Sequence, residues 1–162
     1  MPVLCSGWTE VLFNVKELCE NRPKYANPSK RGQRNIKRFL EVFPPFIQDI
    51  ANGQEFTKEE LETLPYFDYL VSRSKGKRLV HHKIQDAIKL FYDIKNYGLK
   101  APLDMHYHSG DKLCLVRGGR RLVILNQLGY KKVPVRIFAS YELYKRLSPS
   151  AIWEPGPKEE LK

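Results

Sequence analysis

The apolar positions of the chain change character about half-way along it. In "SGWTEVLFNVKELCENRP", residues 6–23, Val11, Leu12, Val15 and Leu18 recur at helical spacing behind a Ser6 or Thr9 cap. That pattern predicts a helix ended by Pro23. The next stretch, "NRPKYANPSKRGQRNIKRFL", predicts a helix that begins in its second half and continues to Val42, where Pro44 and Pro45 stop it. "FIQDIANGQ" and "TKEELETLPYFDYLV" predict two more short helices, the second with Thr57 and Glu60 at capping-box spacing. Its Tyr66, Phe67 and Tyr69 are expected in the core. Polar, basic "SRSKGKR", residues 72–78, is expected to be a loop.

Beyond that loop the periodicity sharpens. Ile84, Ala87, Ile88, Phe91 and Ile94 follow helical spacing, and Gly98 stands where a cap belongs. "KAPLDMHYH" predicts a strand entered through Pro102, Ser109–Gly110–Asp111 a turn, and "KLCLV" a second strand. Gly118–Gly119 then turn into a helix over 120–128, with Leu122, Leu125 and Leu128 on one face and Gly129 at C′. "KVPVRIF" (132–138) predicts a third strand and "SYELYKRL" a capped helix. The expected organisation is a helical lobe over 1–76, a strand-and-helix unit over 77–147, and an extended or disordered tail over 148–162. This element order predicts an α+β fold, a small mixed sheet with packed helices.

Composition narrows the function. The 162 residues, 42% hydrophobic and 28% charged, suffice for a real core. A net charge of +10 points to polyanionic partners, such as nucleic acid, nucleotides or an anionic membrane surface, or else to a merely basic, soluble surface. Cys5, Cys19 and Cys114 are widely spaced and form no CxxC pair, so neither a disulfide framework nor a zinc ribbon is indicated. A reducing, cytoplasmic setting is expected, because "MPVLCSGWTE" has no basic n-region and no run is long and apolar enough for a membrane span.

The chemistry concentrates in "LVRGGRRLVILNQLGYKKVPV", residues 115–135. A strand that enters a helix through Gly118 and Gly119 presents free backbone N–H groups at the positive end of the helix dipole, a ready anion site. Arg117, Arg120 and Arg121 flank it. Cations there disfavour the helix by itself, and a phosphate gripped by forked guanidinium groups would offset that cost. The alternative is a turn whose arginines point into solvent or pair with Asp104, Asp111 or Glu142. Asp104, His106 and His108 alternate along one strand, so they either share a metal-binding side or form an exposed polar face. Cys114, within an apolar strand, is expected in the core. His81 and His82 are expected to be solvated or near an anion. Lys30, Arg31, Arg34, Lys37 and Arg38 are candidate nucleic-acid contacts, flanked by Tyr25 and Phe39 as stacking surface, or else an ordinary solvated face. Neither a helix-turn-helix glycine turn nor a zinc finger nor an RRM signature is present.

Residues 97–138 resemble the N-terminal domain of the ParB/sulfiredoxin superfamily. "IKNYGLKAPLDM" is similar to its helix followed by G-L-x-x-P-L and a strand. "LVRGGRRLVILNQLGYKKVPVRI" is similar to its signature strand, Gly-x-[HR]-R turn, apolar helix ending in "LG", and "VPV" strand. In the partition-protein branch the turn reads Gly-Glu-Arg-Arg and holds the triphosphate of CTP. In sulfiredoxin it reads Gly-Cys-His-Arg and serves ATP, and a free-serine kinase branch carries Asp-Gly-His-His-Arg. The resemblance implies a nucleoside triphosphate, CTP or ATP with Mg²⁺, gripped by Arg117, Gly118, Gly119, Arg120 and Arg121. Gly98, Leu99, Lys100 and Pro102 would lie near its sugar or base, with Asp104 as the catalytic or Mg²⁺-linked candidate. Gly119 stands at the sulfiredoxin cysteine position, which argues against peroxiredoxin repair, and Arg117 replaces the kinase-type acid. A general base would then have to be Asp86, Asp93, Asp104 or Asp111. Three expectations follow: a nucleotide phosphate-binding domain with DNA or RNA contact through its basic lobe, a small phosphotransferase or NTP hydrolase, or a module that grips nucleic-acid backbone without nucleotide. The long partition proteins carry further domains after this one. None of that size follows Phe138, which speaks against a chromosome-segregation clamp.

Overall fold

A computed structural model describes residues 3–5, 7–74 and 76–147, with side chains from residue 7 onward. The expected tail lies outside the described residues. The strands are β1 (Val3–Cys5), β2 (Trp8–Asn14), β3 (Leu103–Tyr107), β4 (Leu113–Arg117) and β5 (Lys132–Phe138). The helices are α1 (Val15–Glu20), α2 (Lys30–Ala51), α3 (Lys58–Leu61), α4 (Pro65–Arg73), α5 (Lys77–Tyr97), α6 (Gly119–Gln127) and α7 (Tyr141–Leu147), with a 3-10 turn over Arg22–Tyr25. The fold is α+β. Its sheet runs β1-β2-β5-β3-β4, antiparallel except where β3 and β5 pair in parallel.

The helix expected from residue 6 is corrected. Residues 8–14 form a strand and only Val15–Glu20 are helical. Val11 and Leu12 satisfy helical spacing, but "VLF" suits a pleated surface equally well, and seven residues cannot separate the two periods. Pairing decides: Trp8 lies opposite Phe138, Val11 opposite Val135 and Asn14 opposite Lys132. Asn14 then caps α1, its Oδ1 accepting the Glu17 N–H at 2.9 Å. The first 76 residues are therefore not a purely helical lobe, because β1 and β2 extend the same sheet.

Pro44 and Pro45 do not stop α2. The helix runs through both for 22 residues, from the Ser29 cap to Ala51, and absorbs the expected "FIQDIANGQ" helix. An interior proline removes a donor and costs about 3 kcal/mol. Phe43, Phe46, Ile47 and Ile50 around the pair are all buried, each side chain worth roughly 1.5–3 kcal/mol. The rings of Phe43, Phe46 and Tyr66 pack with centroids 4.9–6.3 Å apart and hold the helix together across the gap. Thr57 caps α3 as its spacing predicts. The expected loop over 72–78 shortens to the residues between Arg73 and Lys77.

From α5 onward, expectation and structure agree closely. Val80, Ile84, Ala87, Phe91 and Ile94 are the buried face of α5, and Gly98 closes it by donating to Ile94 O. At the end of α6, Gly129 (φ 81) donates to Asn126 O and Tyr130 donates to Leu125 O, a Schellman close. One core runs from Val15 to Val135 through Leu18, Phe43, Ile84, Leu103, Met105 and Leu122, so both sides of the residue-76 loop share it. Helices α1, α2 and α5 pack on α6 on that face, and α7 lies against β3 and β5. Among the described residues no helix is long and apolar enough to cross a membrane.

Candidate functional site

The site grows out of the corner between β4 and α6. Gly118 sits at φ 112, ψ 14, a left-handed conformation that favours glycine. A Cβ there would lie 2.3 Å from Leu103 Cδ2 and 3.2 Å from Arg121 Nη2. Only glycine lets the strand bend this sharply over β3. No side chain caps α6, while Leu122 N–H returns to Gly118 O at 2.9 Å. The first-turn amides of Gly119, Arg120 and Arg121 thus open the helix at its positive end.

The three predicted arginines divide their work. Arg117 and Arg120 are exposed. Arg121 is half-buried, and its Nη1 donates to Ala101 O at 2.7 Å and Pro102 O at 2.9 Å. Burial pushes its pKa down to about 10, with Arg117 acting in the same direction and Asp104 opposing. Arg121 therefore braces the 98–102 connector against α6 and brings Gly98, Leu99 and Lys100 to the corner, while Pro102, expected beside them, is buried and does not line the cavity.

A cavity of about 680 Å³ opens there, within the size range of small-ligand sites. Its cations are Arg22, Arg73, Lys100, Arg117, Arg120 and Arg121, against one carboxylate, Asp93. Ile36, Phe39, Leu90, Ile94 and Leu99 supply an apolar portion. Arg73 reaches it from α4, its Nη1 donating to Tyr69 Oη at 2.6 Å. Arg22, Arg73 and Phe39 belong to this site although the sequence does not place them there, and of the four candidate bases Asp86, Asp93, Asp104 and Asp111 only Asp93 lines it. The only signals for Arg22, Arg73 and Phe39 are membership of the basic run over 21–40, of the basic loop over 72–78 and of the flanking aromatic pair.

Asp104 and the strand around it depart from expectation, whereas His81, His82 and Cys114 agree with it. Asp104 is not a free carboxylate for Mg²⁺ or catalysis. It is fully buried, and Arg136 donates to it twice, Nε to Oδ1 at 2.7 Å and Nη2 to Oδ2 at 3.0 Å. The two residues lie opposite each other in the parallel β3–β5 pairing. His106 is buried beside Tyr141 (centroids 5.1 Å apart) and His108 (6.1 Å), so this strand face is not an exposed polar one. Among the described residues no group of three or more His, Cys, Asp or Glu could hold a metal. His81 binds Glu62 at 2.9 Å, and His82 faces Asp86 at 3.6 Å. Cys114 is buried in β4, its thiol pushed up by burial.

Lys30, Arg31, Arg34, Lys37 and Arg38 are all exposed on α2, with Arg38 3.3 Å from Glu41. They occupy a different face of that helix from Asn35, Ile36 and Phe39, which line the cavity. The expected stacking rings are engaged elsewhere, Tyr25 edge-on to Phe13 and Phe39 stacked on Phe43 at 4.9 Å. Compared with protein-family models, curated proteins and solved structures, the chain matches none of them.

Proposed function

We infer that the chain is a nucleotide-binding domain of the ParB/sulfiredoxin type, acting in the cytoplasm, that seats polyphosphate on the Gly119–Arg121 amides between Arg117 and Arg120. The carrying observation is the cavity wall, with six cations, one carboxylate and an uncapped helix N-terminus around 680 Å³. Its apolar portion suits a nucleoside, and Gly98, Leu99 and Lys100 stand beside it, as the resemblance implies for a sugar or base. Exposed α2 would offer a separate surface to a DNA or RNA backbone. Mg²⁺ would arrive with the nucleotide, and Asp93 is the wall carboxylate that could hold it. Turnover is the second reading, favoured by that same aspartate, which would accept a proton from an attacking hydroxyl or water.

Calorimetry with CTP, ATP, ADP and a short duplex at two salt concentrations separates the readings. Saturable, base-dependent nucleotide binding that weakens tenfold or more in Arg120→Ala is expected. Steep salt dependence with every polyanion and no preference for nucleotide would instead mean a backbone-binding module. Phosphate release or transfer lost in Asp93→Asn would mean an enzyme.

A further inference from the structure

The cavity has a second wall that the glycine turn does not explain. Arg22 opens the 3-10 turn before α2, far from α6 in sequence, yet its guanidinium lies against the start of that helix. A Cβ on Gly119 would sit 3.4 Å from Arg22 Nη2. Its Nε and Nη1 are shut off from solvent and have no hydrogen-bond partner. A buried donor left unmatched is costly, and buried charge is normally paired. The groups acting on Arg22 electrostatically are Cys19, Cys114 and Tyr69, none of them a carboxylate. Burial pushes the Cys19 thiol up to about 11, so at neutral pH it supplies no counter-charge. A guanidinium held beside a bare helix N-terminus, on a wall with one carboxylate, lacks an anion.

We propose that Arg22 is a phosphate-gripping residue of this site, clamping the ligand from the first half of the chain against the N-terminus of α6, and that the ligand carries at least two adjacent phosphoryl groups. This rests on the nucleotide reading above and names its substrate class, a nucleoside di- or triphosphate in preference to a monophosphate. A single phosphate carries about −2 charge, too little to answer guanidinium groups on both sides of the corner. A diphosphate or longer chain reaches both.

Titrations of ATP, ADP, AMP, pyrophosphate and inorganic phosphate into wild type, Arg22→Met and Arg22→Lys test this. Arg22→Met should bind ATP, ADP and pyrophosphate tenfold or more weakly, bring ADP close to AMP, and keep its fold and a raised melting midpoint without ligand. Arg22→Lys, a charge without the fork, should fall between. Wild-type binding of ATP matched by a folded Arg22→Met overturns the Arg22 proposal and leaves the glycine-turn reading standing. Equal affinity for AMP and ADP in wild type overturns the diphosphate requirement. Wild type that binds none of the five probes overturns the site reading, and Arg22 with it. Should Arg22→Met not fold, the same comparison is read from Arg22→Lys, where unchanged affinity for all five probes counts against the proposal.

Discussion

Replacing Arg22 with methionine should stabilise the ligand-free protein. Methionine keeps the unbranched stem that packs beside Cys19 and α6 and removes only the guanidinium, two of whose nitrogens are buried without partners. Burial lowers the Arg22 pKa from its ordinary value to about 10. At about 1.4 kcal/mol per pH unit, that is roughly 3 kcal/mol against the charged form in the folded state. Part of this gain is lost to imperfect repacking, so the expected stabilisation is about 1–3 kcal/mol, or a melting midpoint about 2–10 °C higher. The pH dependence follows from the direction of the shift. Folded protein releases the Arg22 proton before the unfolded chain does, so the penalty is present in full below about pH 10 and fades as pH rises above it. The gap between wild type and Arg22→Met should therefore narrow above pH 10. Urea unfolding of both proteins at pH 7.5 and 10.5, with unchanged m-values, measures it. A variant less stable than wild type by 1 kcal/mol or more would refute the reasoning, since Arg22 would then be contributing a favourable contact.

The glycines of the turn should separate in the same assay. Gly118→Ala meets a positive φ and a 2.3 Å approach to Leu103, together costing about 2–5 kcal/mol, while Gly119→Ala, whose nearest new contact is Arg22 Nη2 at 3.4 Å, should stay within about 1 kcal/mol of wild type. Equal stability of the two variants would contradict the left-handed corner. Asp104→Asn, which takes the carboxylate charge out of the buried two-bond pair with Arg136, should cost about 1–3 kcal/mol, and Asp104→Leu combined with Arg136→Met should recover part of it. Near-wild-type stability of Asp104→Asn would count against a structural pair.

What the sequence disclosed was what local chemistry controls. The β4 strand, the Gly118 bend, the apolar face of α6 and the Gly129 close each carry their signal within residues 113–130, in spacing and residue type, although β3 and three helices pack on them. β2 was misread because its strand character depends on β5, more than a hundred residues away. The Pro44–Pro45 break was overruled by buried Phe43, Phe46 and Ile47, whose packing no local rule contains. The candidate site divides in the same way. Arg117 to Arg121 could be found as a motif. Arg22 and Arg73 could not, because they reach the cavity only through tertiary packing of the first half of the chain. Asp104 carried the opposite lesson: its partner, Arg136, lies on the neighbouring strand, and only the β3–β5 register shows that its carboxylate is occupied.

Backbone amide spectra recorded during a titration with ATP and with CTP test most directly whether phosphate sits at this corner. Saturable shifts centred on Gly118, Gly119, Arg120 and Arg121, retained at moderate salt and lost in Arg120→Ala, are predicted. Shifts confined to the exposed basic face of α2 around Arg31, Arg34 and Arg38, with the α6 amides unmoved at saturation, would contradict it.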